Sequence, residues 1–256
     1  MAIDHPILLT GAASGVGDAT ARQLIERGYQ VISLDVKEPT AAVAAHHPCD
    51  LSDPEAIDAV AAGLEGPYSS LLNVAGVPGT VGDELTMRVN FFGLRHFTEL
   101  MWDRIADGGT IVNVASIAGN QWRKRRDLLA ALLGTESFDD AVAWWQSNAE
   151  GIGTDAYTFS KEAVVYYTMR LAVQGLDRGI RVNDVGPGPI DTPILPDFRS
   201  QVGADIMDQM IAKVGRAAQP ADIAEAIVVL AEGQMSWVNG QHLIVDGGMM
   251  AGYSTG

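Results

Sequence analysis

Thr10-Gly11-Ala12-Ala13-Ser14-Gly15-Val16-Gly17 decides the reading of this chain. A short apolar run, Ile7–Thr10, leads into it, and a helical pattern over Gly15–Arg27 leads out. Glycines at such a junction permit a tight turn and a close approach of backbone to ligand. The helix that follows starts with free N–H groups and the positive end of its dipole, a setting for a pyrophosphate. The spacing is G-x-x-x-G-x-G rather than G-x-G-x-x-G, in the strand–turn–helix context that a dinucleotide cradle requires. Gly11, Ser14, Gly15, Val16 and Gly17 are therefore candidate cofactor-binding residues; an ordinary glycine turn is the plain alternative.

Outward from this turn, short apolar runs alternate with longer helical patterns. The runs are Ile7–Thr10, Val31–Asp35, Ser70–Val74, Thr110–Ala115, Ile180–Val185 and His242–Val245, with a further strand closed by Cys49-Asp50-Leu51. Helices are expected over Gly15–Arg27, Pro54–Leu64, Glu84–Ile105, Asp155–Leu176 and Pro220–Ala231. Strand–helix alternation argues for an α/β fold, a parallel sheet with helices on both faces. Continuous apolar strands such as Thr110-Ile-Val-Asn-Val-Ala115 fit a sheet buried on both sides. No repeat, low-complexity linker or composition break divides the chain, so residues 1–256 read as a single domain.

Asp35 ends the second strand, 18 residues after Gly17. A carboxylate there accepts hydrogen bonds from both hydroxyls of an adenosine ribose and repels a 2′-phosphate. Val36 follows it, and Lys37 stands one step further on. NAD is the expected cofactor. Asp50 and Leu51 stand where a carboxylate would meet the adenine, and Asn73, Ala75 and Gly76, at the end of the next strand, would let the cofactor pass close to the chain. Tyr157 and Lys161 lie four residues apart, which puts both side chains on one helix face. An ammonium beside a phenol favours the phenolate and lowers its pKa from about 10. Taken alone, the pair also fits a chance placement on an amphipathic helix.

Together these residues resemble the short-chain dehydrogenase/reductase family over nearly the whole chain, from the Thr10–Gly17 turn to Val245-Asp246-Gly247-Gly248. The resemblance implies a Rossmann-type doubly wound sheet of about seven parallel strands in one domain. It also implies a catalytic tetrad of Asn90, Ser116, Tyr157 and Lys161, in the segments Arg88-Val-Asn-Phe-Phe-Gly93, Val114-Ala-Ser-Ile117 and Tyr157-Thr-Phe-Ser-Lys161. In relatives the Pro187-Gly188 turn lines the nicotinamide, and Ile190 and Thr192 hold its carboxamide. Tyr157 and Lys161 would both also touch the nicotinamide ribose side of the cofactor. Val74 departs from the family's frequent second asparagine. By this likeness Tyr157 is the general acid–base, Lys161 lowers its pKa, Ser116 holds the substrate oxygen and Asn90 positions a water. An alcohol and its carbonyl are interconverted, with a lean toward alcohol oxidation.

Ser116 and Tyr157 are 41 positions apart, about three times the usual family spacing. The helical insert, residues 118–153, carries Trp122, the basic run Arg123-Lys-Arg-Arg126, the apolar stretch Asp127–Leu133 and a second stretch, Phe138–Asn148, with Trp144-Trp145. These tryptophans either roof a pocket for a flat, apolar substrate or form the insert's own small core. Ala118, Trp122, Trp145 and Pro189 are the candidate substrate-pocket residues. The insert resembles the branch of coniferyl-alcohol dehydrogenases and 3α-hydroxysteroid dehydrogenases/carbonyl reductases. The expected substrate is a bulky benzylic, allylic or secondary alcohol, with a steroid as the alternative. A catalytically silent NAD-binding sensor is the alternative of another class.

Composition bounds the rest. A net charge of −15 argues against broad contacts with nucleic acid, an anionic membrane or an acidic carrier protein. The single cysteine, Cys49, excludes an internal disulfide, and the adjacent His46 and His47 lack partners at ligand spacing, so no metal is expected. No stretch reaches the length of a membrane span and the start lacks a basic, apolar leader, which reads as cytoplasmic. The expected partners are a small-molecule alcohol or ketone and further copies of the chain, as a homodimer or homotetramer.

Overall fold

The continuous apolar runs form a sheet closed off from water on both faces. In a computed structural model that describes residues 5–255, the strands are β1 (Ile7–Thr10), β2 (Val31–Asp35), β3 (Ala45–Pro48), β4 (Tyr68–Asn73), β5 (Ile105–Val114), β6 (Arg181–Pro187) and β7 (His242–Val245). All neighbours pair in parallel, in the order β3-β2-β1-β4-β5-β6-β7. The order reverses between β1 and β4, and at such a switch point a crevice opens at the carboxyl ends of the strands.

The helices, in chain order, are α1 (Gly15–Glu26), α2 (Pro54–Ala62), α3 (Asp83–Met87), α4 (Leu94–Met101), α5 (Arg126–Leu133), α6 (Phe138–Asn148), α7 (Ala156–Gln174), α8 (Leu195–Val202), α9 (Ala204–Val214), α10 (Pro220–Ala231) and α11 (Met249–Thr255). Two apolar cores result. One joins Ile7, Leu9, Leu72, Val112 and Val185 to α1 and α10. The other joins Leu8, Leu71, Ile111 and Val182 to α2, α4, α7 and the insert.

Three expectations about elements are corrected. The helix expected over Glu84–Ile105 is continuous but not uniformly α: α3 passes into a π-helical turn, Arg88–Gly93, then α4, then a 3₁₀ turn that ends at Arg104. Gly93 forces close packing there, since a Cβ on it would stand 2.0 Å from the Leu51 carbonyl. β5 starts at Ile105 rather than Thr110, because Ile105 pairs with Tyr68 before an irregular stretch that includes Gly108 and Gly109. β3 ends at Pro48, so Cys49, Asp50 and Leu51 lie just past the strand.

The insert folds onto α7. Residues Ile117–Arg125 wind as 3₁₀ turns, and α5 and α6 follow. Trp144 and Trp145 stack on the buried Phe159 of α7, with ring centroids 6.2 and 5.9 Å away. Trp122 packs on Tyr166 of the same helix at 5.7 Å, and the Arg123 guanidinium covers its ring at 4.5 Å. Arg125 forms a two-pronged ion pair with the fully buried Glu162, at 2.6 and 2.7 Å. A bidentate pair of this kind fixes orientation as well as charge. Replacing Trp145 with Ala removes a buried ring from this seam; urea unfolding is expected to show a loss of about 3–5 kcal/mol. A midpoint and slope equal to wild type would contradict this packing.

Candidate active site

The glycine turn positions the first part of the site. Gly11 has φ +76°, and a Cβ on it would lie 2.7 Å from the Ala75 backbone. A Cβ on Gly17 would lie 1.9 Å from the Gly11 carbonyl. The turn therefore closes only with glycine at both places. Ser14 is the N-cap residue of α1, and its side chain makes no cap hydrogen bond, so the first-turn N–H groups face the crevice unclaimed by it. One groove of about 1030 Å³ runs from this turn along the carboxyl ends of the strands.

The residues expected to hold a cofactor lie along that groove, with one exception. Gly11, Ser14, Gly15, Val16 and Gly17 line one part, Asp35, Asp50 and Leu51 another, and Ala75 and Gly76 the middle. Pro187, Gly188, Ile190 and Thr192 line the wall beyond. Asp35 is fixed by the chain itself: Ala13 N–H donates to its Oδ2 at 2.9 Å and Lys37 N–H to its Oδ1 at 3.0 Å. Asn73 is the exception. Its side chain is buried in the sheet, where Nδ2 donates to Thr98 Oγ1 at 2.9 Å and to Asn113 Oδ1 at 2.8 Å. The uncapped helix start, the glycine-bared backbone and the anchored carboxylate fit a nicotinamide dinucleotide.

Ser116, Tyr157 and Lys161 share the groove wall. Ser116 follows β5, and its Oγ accepts from Ala118 N–H at 3.2 Å. Asp155 caps α7 by accepting from Thr158 N–H at 2.9 Å, which places Tyr157 in the first turn and Lys161 one turn on. The Lys161 ammonium donates to the Val114 carbonyl at 3.0 Å and stands 5.7 Å from the Tyr157 ring centroid. Asn90, in the π-helical turn, is fully buried behind the wall. It brackets the loop after β4: Val77 N–H donates to its Oδ1 at 2.8 Å, and its Nδ2 donates to the Val77 carbonyl at 3.0 Å. A Cβ on Gly76 would stand 3.3 Å from Asn90 Oδ1 and 3.5 Å from Lys161 Nζ, so both atoms border this glycine.

The electrostatics correct one expectation. Burial pushes the Tyr157 phenol up to about 12; the Ser116 hydroxyl opposes the rise and Asp155 adds to it. Burial also pulls Lys161 down to about 8, against the field of Asp184. Burial is the largest cause of the Tyr157 rise, and the Lys161 ammonium gives its hydrogen bond to a backbone carbonyl and not to the phenol.

The pocket beyond Tyr157 differs from the expected one. Ala118 and Pro189 line it, but Trp122 and Trp145 do not, because both rings are spent on α7. Its lining includes instead Leu85, Val89, Ile117, Gln121 and Arg125. Leu195, Phe198, Val202, Met207, Met210 and Met250 line it as well, and the Phe198 ring meets Tyr157 edge-on at 5.0 Å. Residues 196–214 carry no motif that marked them. Their one signal was position, directly after the Pro187–Thr192 turn. Among the described residues no cluster of potential metal ligands occurs, and no helix is long and apolar enough to cross a membrane.

Residues 5–128 match the family model described as short chain dehydrogenase, and residues 141–250 match the one described as Enoyl-(Acyl carrier protein) reductase. Coniferyl-alcohol dehydrogenase of Pseudomonas sp. (strain HR199 / DSM 7063) is 35% identical, over 96% of this chain and 97% of that protein. The 3-alpha-hydroxysteroid dehydrogenase/carbonyl reductase of Comamonas testosteroni is 28% identical, over 96% of each. Among solved structures, the 3-alpha-hydroxysteroid dehydrogenase of Pseudomonas sp. B-0831 complexed with NADH superposes with a TM-score of 0.82, at 30% identity, over 96% of this chain and 97% of that one.

In the ligand-free protein the phenolate absorbance that Tyr157→Phe removes is expected to titrate at about 12. A lost transition at or below the ordinary value of about 10 would contradict the dominance of burial.

Proposed function

The chain belongs to the short-chain dehydrogenase/reductase family of oxidoreductases, and from that premise we propose that it interconverts a bulky, apolar or aromatic alcohol and its carbonyl, with NAD as cofactor. The observation that carries the reading is the common wall of Ser116, Tyr157 and Lys161, placed between a dinucleotide cradle and an apolar chamber. NAD, when bound, would supply the hydride acceptor and a positive charge. Tyr157 Oη receives the hydroxyl proton, or returns it to a carbonyl. Ser116 Oγ donates to the substrate oxygen and steadies the charge that develops there. Lys161 would hold the ribose of that cofactor and lend its charge to the phenolate. Asn90 keeps the Gly76–Val77 loop open beside Lys161.

The pKa directions set the order of events. A phenol held at about 12 is a poor base at neutral pH. The drop that catalysis requires would come with the loaded site, where the charge of the oxidised cofactor would add to that of Lys161. The resting enzyme therefore carries its proton on Tyr157. Asp35, anchored by two backbone donors, supports NAD over NADP by its negative charge.

The chamber supports the substrate class. Phe198, Leu195, Val202, Met207 and Met210 offer apolar surface on α8 and α9, and methionine side chains adapt to irregular shapes. The 35% identity to a coniferyl-alcohol dehydrogenase favours an aryl allylic alcohol over a steroid.

The test is NADH formation with a panel of aryl alcohols and steroids. Turnover of aryl alcohols is expected; tight NAD binding without turnover of any alcohol would instead indicate a sensor. Tyr157→Phe is expected to lose at least about a hundredfold in kcat while NAD affinity changes little; a variant that stays active sinks the mechanism. Asp35→Ala is expected to raise NADP use relative to NAD, and equal use of both by the wild type would refute the role given to Asp35.

A further inference from the structure

Four polar residues stand in register across neighbouring strands: Asn73 in β4 opposite Asn113 in β5, Asn113 opposite Asp184 in β6, and Asp184 opposite His242 in β7. They form a row on the sheet face that carries α7. Val182, two residues before Asp184, packs into the core on that face, whereas Val185 packs into the other core. Alternation then turns Asp184 toward α7. Asn73 and Asn113 are linked by a hydrogen bond, and Asn113 Nδ2 donates to Thr168 Oγ1 of α7 at 2.9 Å. At the other end His242 Nδ1 meets Asp184 Oδ1.

Asp184 is fully buried, and its second oxygen, Oδ2, has no hydrogen-bond partner. A buried carboxylate that lacks one of its bonds is costly unless a charge answers it. The charge that answers it acts through its field rather than through an ion-pair contact. Lys161 lies seven residues before Thr168, on the same face of α7. Its ammonium is tied to the carbonyl of Val114, one residue beyond Asn113, and Val114 pairs with Val185, the neighbour of Asp184.

We propose that Asp184, held by His242, is the counter-charge that keeps the buried Lys161 ammonium charged and in place, and is thereby a positioning residue that acts on the reaction through Lys161. This rests on the role given to Lys161 above. Facing Lys161 are Tyr157 from its own helix, Asp184 from β6, the Val114 carbonyl from β5 and the neutral Asn90 behind Gly76. Glu162, next in the chain, is taken up by Arg125. Facing Asp184 are His242 and Lys161. Burial pushes Asp184 up, and His242 and then Lys161 pull it back toward ionisation. For Lys161 burial pulls down and Asp184 pulls up. Removing the Asp184 charge therefore makes Lys161 lose its proton at lower pH, and the alkaline limb of activity moves down with it.

The chain has four lysines (37, 124, 161 and 213), so the full-length protein made with lysine enriched in an NMR-active carbon at Cε gives few resonances, and Lys161→Met assigns the one that matters. In the free wild-type protein Lys161 is expected to titrate near 8. In Asp184→Asn, which keeps the shape and the acceptor toward His242, its titration is expected to fall by at least about one pH unit, a tenfold loss of proton affinity. With NAD and an alcohol, the alkaline limb of kcat/KM moves the same way. If the asparagine variant does not fold, Asp184→Thr, which suits a strand and offers a hydroxyl to His242, replaces it. An unchanged Lys161 titration in a folded Asp184 variant overturns the proposal. A titration shifted in the Asp184 variant, alongside a wild type that oxidises no alcohol, supports the charge pairing and counts against the function reading instead.

Discussion

A lysine ammonium buried at the carboxyl end of a parallel strand constrains everything around it. Lys161 is 5% exposed, and its ammonium hydrogen-bonds the Val114 carbonyl. Burying a charge is expensive, and a backbone carbonyl answers it only in part. The sheet supplies the end of β5, α7 supplies the rotational setting, and Asp155 fixes where α7 begins. Tyr157 follows from that placement, since one turn of helix separates it from Lys161. The same desolvation that pulls the lysine down raises the phenol.

Much of this fold was legible in the sequence because its constraints are local. Gly11 and Gly17 stand where any side chain would strike backbone, so the turn marks itself. Continuous apolar strands and the helix starts at Gly15, Pro54 and Pro220 carried the alternation. Asp35, Ser116, Tyr157 and Lys161 sit at strand ends or one helix turn apart, and simple spacing brings them to the groove. What was hidden depends on long-range packing. The π-helical turn at Arg88–Gly93 reads as ordinary helix in the sequence, and its Gly93 packs against the Leu51 carbonyl, a contact far apart in the chain. Asn73 looks like a cofactor contact by position, yet its amide is used to tie β4 to β5 and α4.

The insert shows the limit most clearly. Its tryptophans lie between two residues of the reaction wall, which made a pocket roof and a private core equally readable. The choice falls to Phe159 and Tyr166, which offer aromatic partners on the far side of α7 from the groove. Residues 117–125 still reach the pocket through Gln121 and Arg125, the latter locked to Glu162 beside Lys161. The insert thus bears on the site by bracing the helix that carries Tyr157 and Lys161. Much of the apolar lining comes instead from α8 and α9, where the sequence holds no motif because shape alone is required.

The most direct measurement is a crystal structure of the enzyme with NAD and a bound ketone product. The carbonyl oxygen is expected within about 2.6–3.2 Å of both Tyr157 Oη and Ser116 Oγ, with its apolar body against Phe198 and α9. A carbonyl held away from Tyr157, with that phenol facing no reacting atom, would contradict the account.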